Sequence, residues 1–304
     1  MSIVSTSAFY ERNNAAFAQL RSRAEALQTQ VSTGQRVAKS SDDPVAASRL
    51  RAIARADEIS GANVANANRA NGDLQLADSA IQEVVDNLIM AQGLATQAAT
   101  GTMSDDQRAA IGEQIANIRG NLIALANTKD SAGHALFGGE GAGEAYTLDA
   151  GGTPVYAGTG SAGELSLGEG QSVTRGVTGP EFLAFTHGGN ATDLFAVLGS
   201  LADALQGGSA DPAGAARDAL DGMKAGLDKL TTTQTVIGSR MNWVDLNLAR
   251  QERLGEMRAT EQTAVGEVDP TVAITQLQEI MTVLEASQAS FARLASLSLF
   301  DVIK

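Results

Sequence analysis

The residues able to do chemistry in this 304-residue chain are few, and their spacing points away from catalysis. His134 and His187 are the only histidines, far apart in the sequence, and there is no cysteine. Zinc sites need Cys or His ligands at short, regular spacing, so no metal site is expected. Without cysteine no disulfide forms and no thiol is open to oxidation. Two adjacent aspartate pairs stand out, Asp42-Asp43 and Asp105-Asp106. Such pairs suit proton transfer or cation binding, but each sits at a helix-start signal. Asp43 precedes Pro44, which lacks the N–H that a first helical turn leaves unpaired. Ser104-Asp105-Asp106-Gln107 has the Ser-x-x-Gln form of a capping box. Both pairs are read as caps. The run Gly138-Gly139-Glu140-Gly141-Ala142-Gly143 has the glycines of a phosphate-cradling loop but neither the following helix nor a Lys-Ser/Thr ending. It is read as a tightly turning connector. Trp243 falls within a helical apolar pattern and is expected to pack there. No HExxH or G-x-S-x-G occurs. The chain is expected to be no enzyme and to need no cofactor.

What the sequence does carry is a pair of heptad stripes, one near each end. Ile3, Tyr10, Phe17, Ala24 and Val31 recur every seventh residue, with Thr6, Asn13, Leu20 and Leu27 at the intervening steps. Near the other end the same spacing takes in Ile274, Leu277, Met281, Leu284, Gln288, Phe291, Ala295 and Ser298, flanked by Leu294, Leu297, Leu299 and Phe300. A 3.5-residue apolar repeat holds one seam toward a partner helix. Two such helices can pair with each other, yet Phe9, Ile280 and the flanking residues would stay uncovered, which implies contacts with other subunits. The expected assembly interface is therefore Ile3, Tyr10, Phe17, Leu20, Leu27, Val31, Ile274, Leu277, Met281, Leu284, Phe291, Leu294, Leu297 and Phe300.

Those stripes need elements to present them. The first helix is expected from about Ala8 to Ser32, ended by Gly34, a residue at ease in the left-handed cap conformation. A polar connector, Gln35 to Asp43, leads to a long helix from Pro44 to about Thr100. Its seam is Leu74, Ala77, Ile81, Val84, Leu88, Ala91, Ala95 and Ala98. The helix opened by Ser104 carries Ile111, Ile115, Ile118, Leu122 and Leu125. From Gly133 to Gly189 helical periodicity gives way to glycine-rich, short alternating runs at 146–148, 154–156, 165–167 and 173–175. Asp149-Ala150-Gly151-Gly152 reads as a hairpin turn between the first two. Helical spacing resumes at Thr192, and a long helix from Pro212 presents Leu220, Met223, Leu227, Leu230, Gln234, Ile237, Met241, Val244 and Leu248. Asp269-Pro270 opens the last helix. The expected organisation is mainly α and elongated: terminal coiled-coil segments (1–42 and 268–304), a helical bundle (43–136 and 190–267) and a small β-rich outer insertion (137–189).

Charge and composition narrow the partners. The net charge is −13, which disfavours general binding to nucleic acid or acidic membranes. Nine acids against one base, Arg175, lie between Phe137 and Asp211, and are read as a solvated outer surface. No run of apolar residues is long enough to span a membrane. The start, Met1-Ser2-Ile3-Val4-Ser5, lacks the pattern of a cleavable leader.

Three stretches resemble the flagellin family, and the resemblance extends over nearly the whole chain. Gln30 to Ile53, "QVSTGQRVAKSSDDPVAASRLRAI", is similar to the family's connector into its first bundle helix. Within it Gly34, Ser41, Asp42, Asp43 and Pro44 carry the likeness, and the Ser-Asp-Asp-Pro-Val form resembles hook–filament junction members more than filament members. Asp130 to Gly141, "DSAGHALFGGEG", resembles the exit from the bundle to the outer domain. Ala286 to Lys304, "ASQASFARLASLSLFDVIK", resembles the family's C-terminal ending. Phe137-Gly138-Gly139 departs from the more usual Phe-Ala/Ser-Gly. The resemblance implies a flagellin-like helical architecture and an extracellular structural role in the bacterial flagellum. It implies export without a cleavable leader, aided by a chaperone at the C-terminal region. It also implies a homo-oligomeric ring between the first hook-associated protein and filament flagellin. A filament flagellin and a soluble coiled-coil binding protein or adhesin are the competing readings.

Overall fold

The structure is a computed structural model that describes residues 3–100, 102–130 and 132–302, with side chains described between 8 and 293 in those ranges. Its long helices begin and end where local chemistry directs. Helix α1 (Ile3–Thr33) stops because Gly34 adopts φ +72° and its N–H returns to the Gln30 carbonyl. Helix α2 (Pro44–Ala98) starts on proline, and the Asp43 carboxylate accepts the Ala46 N–H at 2.9 Å. Helix α3 (Asp105–Ala126) has the complete capping box, with Ser104 Oγ accepting from Gln107 N–H and Gln107 Oε1 accepting from Ser104 N–H. The chain ends in two more long helices, α6 (Pro212–Gly266) and α7 (Pro270–Val302). Asp269 caps the latter by accepting the Thr271 and Val272 N–H groups.

Between α3 and α6 lie three antiparallel hairpins. Strand β1 (Tyr146–Leu148) pairs with β2 (Pro154–Tyr156), and β3 (Glu164–Gly168) with β4 (Gln171–Thr174). A single-turn helix α4 (Gly179–Leu183) then precedes β5 (Ala184–His187) and β6 (Asn190–Asp193). Helix α5 (Leu194–Asp203) follows directly and runs into a π-helical turn, Ala204–Gly208, broken by Gly207 at φ +102°. The turn between β1 and β2 is held by Asp149, whose Oδ1 accepts from both Gly151 and Thr153 N–H at 2.8 Å. The first four strands fall where alternation predicts them. Strands β5 and β6 are additions, carved from residues whose alternation is short and whose polar content reads as loop.

The chain divides into two compact units. One comprises residues 1–58 and 253–304, the other Ile59–Glu252. In the second, the expected α2 seam from Leu74 to Ala98 is fully buried, with Ile111, Ile115, Ile118 and Leu122 of α3 and Met223, Leu230, Ile237 and Val244 of α6. Two-stranded hairpins are marginal alone, and here their apolar residues join that same core. Phe137, Tyr146, Leu167, Val173 and Phe182 are all buried in it. Tyr146 meets Phe195 edge-on with ring centroids 5.1 Å apart, and Phe137 meets Phe182 at 4.6 Å. The Asn127 side chain, at the end of α3, exchanges hydrogen bonds with both the N–H and the carbonyl of Tyr146. The acids of this segment do stay at the surface, but the backbone that carries them is anchored.

Candidate functional site: the terminal helix pair and its connector

In the first unit α1 packs antiparallel on α7, with Tyr10 and Phe17 both meeting Phe291 edge-on at ring-centroid distances of 5.2 and 5.7 Å. On α1 a line of half-buried positions, Tyr10, Asn13, Phe17, Leu20, Ala24, Leu27 and Val31, alternates in steps of three and four, with Ala8 and Gln30 half-buried beside it. That is the expected seam. The α7 seam departs from the expected register. Its buried or half-buried residues are Ala273, Leu277, Ile280, Leu284, Ser287 and Phe291. Leu277, Leu284 and Phe291 fall on the expected line, whereas Ile274 and Met281 are 43% and 45% exposed. The reason is steric and geometric. Helix α7 is apolar at two overlapping registers, and the smaller Ala273 and Ser287 let α1 approach closely on one of them. The side chains of Ile3, Leu294, Leu297 and Phe300 lie outside the described residues.

At about 100° per residue, Ile274 and Met281 sit roughly 90° to one side of that seam and Val272 and Val283 roughly 90° to the other. All four are exposed, as is Phe9 on α1. The pair therefore keeps two apolar flanks open after its own seam is closed.

The connector from Gly34 to Pro44 is organised by a residue that the sequence pattern does not single out, Arg36. Its guanidinium donates to the Val265 carbonyl through Nε and Nη2, and its backbone N–H donates to the Gly266 carbonyl. These carbonyls end α6 and have no helical partner. Nη1 also donates to Asp43 Oδ2 at 3.0 Å. The Ala46 N–H first, and then Arg36, hold the Asp43 carboxyl below its usual range. One arginine thus links the end of α6 to the cap of α2. Asp42 has a separate task, accepting the Ala38 and Lys39 N–H groups. Val268 N–H donates to the Gly34 carbonyl and Gln35 bridges to Glu267, so the two chain reversals are stitched together. Ser41 is exposed. A legible signal for Arg36 did exist: an arginine two positions after a glycine cap, in a loop that ends in a capping acid. Further along, the ion pairs Arg49–Glu261 and Arg258–Asp57 join α2 to α6 within this unit.

The residues that sequence alone marks for chemistry are held in local structural contacts. Asp105 and Asp106 remain in their capping box, and His134 and His187 each face an aspartate, Asp130 and Asp218. Trp243 donates its indole N–H to the Ser172 carbonyl. Gly139, in the glycine run, takes φ +72° where a Cβ would fall 2.2 Å from Thr159 Oγ1, the signature of a tight turn. No group of three or more metal-ligating side chains occurs among the described residues, and no described helix is long and apolar enough to cross a membrane.

Residues 4–142 match the family model for the bacterial flagellin N-terminal helical region. This is a flagellin-family region. The likeness of the flagellin-like chain to curated relatives runs much further than that region. It is 29% identical over 320 residues to flagellar hook-associated protein 3 of Escherichia coli (strain K12), covering 99% of both chains. The corresponding protein of Salmonella typhimurium is 27% identical over 329 residues, covering 98% of this chain and 99% of its own. Among solved structures, the fold is shared with a putative flagellar hook-associated protein from Vibrio parahaemolyticus. That match has a TM-score of 0.67 and 20% identity, covering 73% of this chain and 98% of the other. A flagellar hook-associated protein-3 from Legionella pneumophila aligns with a TM-score of 0.65 at 13% identity, over 71% and 98% of the two chains. The mainly α fold read from the helical layout, with long terminal helices and a small central β region, is the fold observed, and it is flagellin-like as the resemblance implied.

Proposed function

We propose that this chain is a structural part of the bacterial flagellum, the junction between hook and filament. The observation that carries the reading is the end-to-end similarity to two hook-associated proteins 3, which leaves almost no part of either relative unmatched. In this reading the chain acts outside the cell as a homo-oligomeric ring, with the first hook-associated protein on one side and filament flagellin on the other. A chaperone bound to its C-terminal region escorts it on the way to that place. Residues 1–42 and 268–304 form the assembling layer, 43–136 and 190–267 the bundle, and 137–189 the outer part. The open flanks of the α1–α7 pair support the assembling role. Phe9, Val272, Ile274, Met281 and Val283 are apolar and uncovered in the single chain, and a second helix from a neighbour would bury them. No catalytic step belongs to this function.

The test is genetic and visual. Cells lacking the gene should bear hooks without filaments and shed flagellin into the medium, and the wild-type gene supplied in trans should restore filaments. Filaments of normal number in the deletion strain would end the junction reading. Loss of the filament protein itself from the medium would favour a filament flagellin instead.

A further inference from the structure

Within the unit Ile59–Glu252, two carboxylates share one guanidinium. Arg175, just past β4, approaches Asp73 of α2 with Nε 3.4 Å from Oδ2, and Asp130 of the turn after α3 with Nη2 3.0 Å from Oδ2. The side chains of Asp73 and Asp130 are only 5% and 1% exposed. Their surroundings differ. Asp130 Oδ1 accepts the N–H groups of Ala132 and His134 at 2.9 Å each, and His134 Nδ1 lies 3.6 Å from Oδ2. Asp73 Oδ2 has no hydrogen-bond donor at all. Arg69, on the same helix, also acts on Asp73, and Arg240 of α6 donates to the Gly176 carbonyl next to Arg175.

Two buried anions against one cation leave an excess of negative charge in a poorly solvated place. A proton from solvent would remove it, and the two sites compete unequally for that proton. Donors fixed on Asp130 favour its ionised form, whereas ionised Asp73 has only the charges of Arg175 and, more weakly, Arg69 to favour it. We propose that Asp73 is a proton-operated latch that tightens the attachment of β4 and the 129–135 turn to α2 as the pH falls below neutral. The proton adds to Asp73, the repulsion between the two carboxylates disappears, and the full charge of Arg175 is left to Asp130. The route for the proton is short, because Asp73 borders a surface groove with Arg69, Gly72 and Gln75.

Electrostatics support the same asymmetry. Burial pushes the Asp73 carboxyl above the usual range, against the pull of Arg175 and with the help of Asp130. Burial also raises Asp130, but the His134 and Ala132 N–H groups, with the charges of His134 and Arg175, outweigh it and leave that carboxyl lowered. A raised acid binds protons more readily in the folded chain than in the unfolded one. Its contribution to stability therefore grows as pH falls toward the ordinary aspartate value of 3.8. The lowered Asp130 works the other way and loses its contribution only below 3.8.

The experiment compares thermal unfolding of the full wild-type chain and Asp73→Asn from about pH 7.5 downward. At pH 7.5 the variant should melt higher by about 2–4 °C, and the gap should close as the pH approaches 4. Carboxyl NMR of the wild-type chain should place the Asp73 midpoint above 3.8. A gap that does not change with pH, or a variant less stable at neutral pH, overturns the latch. Should Asp73→Asn fail to fold, the NMR titration decides alone, and a midpoint at or below 3.8 overturns the proposal.

Discussion

Gly168 occupies a position where a side chain would be both strained and crowded. It turns the β3–β4 hairpin at φ +96°, and a Cβ there would lie 2.4 Å from Asn63 Nδ2 and 3.1 Å from Gln251 Nε2. Of those neighbours Gln251 is held in place, donating to the Leu167 carbonyl while accepting the Ser60 hydroxyl, and Asn66 fixes the same hairpin by donating to the Ser166 carbonyl. Gly168→Ala is expected to destabilise the unit by about 2–4 kcal/mol, combining left-handed strain with overpacking. Gly170 has φ +75° but open space around it, so Gly170→Ala should cost about 1–2 kcal/mol from strain alone. Urea unfolding of both variants checks this, and equal losses would mean that contact with Asn63 and Gln251 adds nothing. Arg36 offers a second test at this scale. Arg36→Lys keeps the charge but cannot reach the Val265 carbonyl and Asp43 with a forked group. Amide exchange at Ala46 and Val268 should accelerate severalfold in Arg36→Lys, and unchanged exchange would show that the connector holds without the guanidinium.

Element by element, the helices were legible and the register of the last one was not. Proline, aspartate and glycine mark the ends of α1, α2 and α7 because each relieves an unpaired backbone group or a steric limit, and those effects act within one turn. The α2 seam was equally readable, since leucine and alanine recur there on a single line. Helix α7 is apolar on more than half its circumference, so periodicity alone fits Ala273–Ile280–Ser287 as well as Ile274–Met281–Gln288. Only the shape of the facing helix chooses. Strands β5 and β6 escaped for a different reason: their pairing is completed by α4 and α6, with Gly226 of α6 lying against Leu194 and Phe185. Arg36 escaped because the Val265 carbonyl that it caps is 229 residues away. The two registers of α7 predict opposite phenotypes. Leu284, 9% exposed, closes the seam with α1, and Leu284→Asp should cost several kcal/mol of pairing and strip protection from residues 8–31 in hydrogen exchange. Met281→Asp should leave that protection intact yet impair the joining of filament to hook under the proposed assembly. If Leu284→Asp leaves α1 protected, the seam lies elsewhere.

At the scale of the whole molecule the apolar burial is very unevenly shared. Every residue of the contiguous core, from Ala67 to Val244, belongs to the unit Ile59–Glu252. In the other unit the buried apolar side chains among the described residues are Ala46, Ala47, Ile53, Ala273 and Leu284. Stability follows burial, so the two units should not unfold together. Calorimetry of the full chain is expected to show a weak transition at low temperature, carrying the loss of α1–α7 helicity, and a strong cooperative one above it. The fragment Ile59–Glu252 should reproduce the second transition and lack the first. A single transition shared by both units would mean that the terminal pair draws stability from a source other than its own seam. The same distribution decides what can be trimmed. An acidic, glycine-rich segment looks dispensable, yet removing residues 139–179 would take Tyr146, Leu167 and Val173 out of the core and expose Phe137, Phe182 and Phe195. That deletion should abolish the strong transition rather than leave a shortened but folded chain. Shortening only the Asp149–Thr153 turn touches no core residue, and the strong transition should then persist within a few degrees. If the large deletion melts like the wild type, the hairpins contribute no structural support and the core of this unit is helical alone.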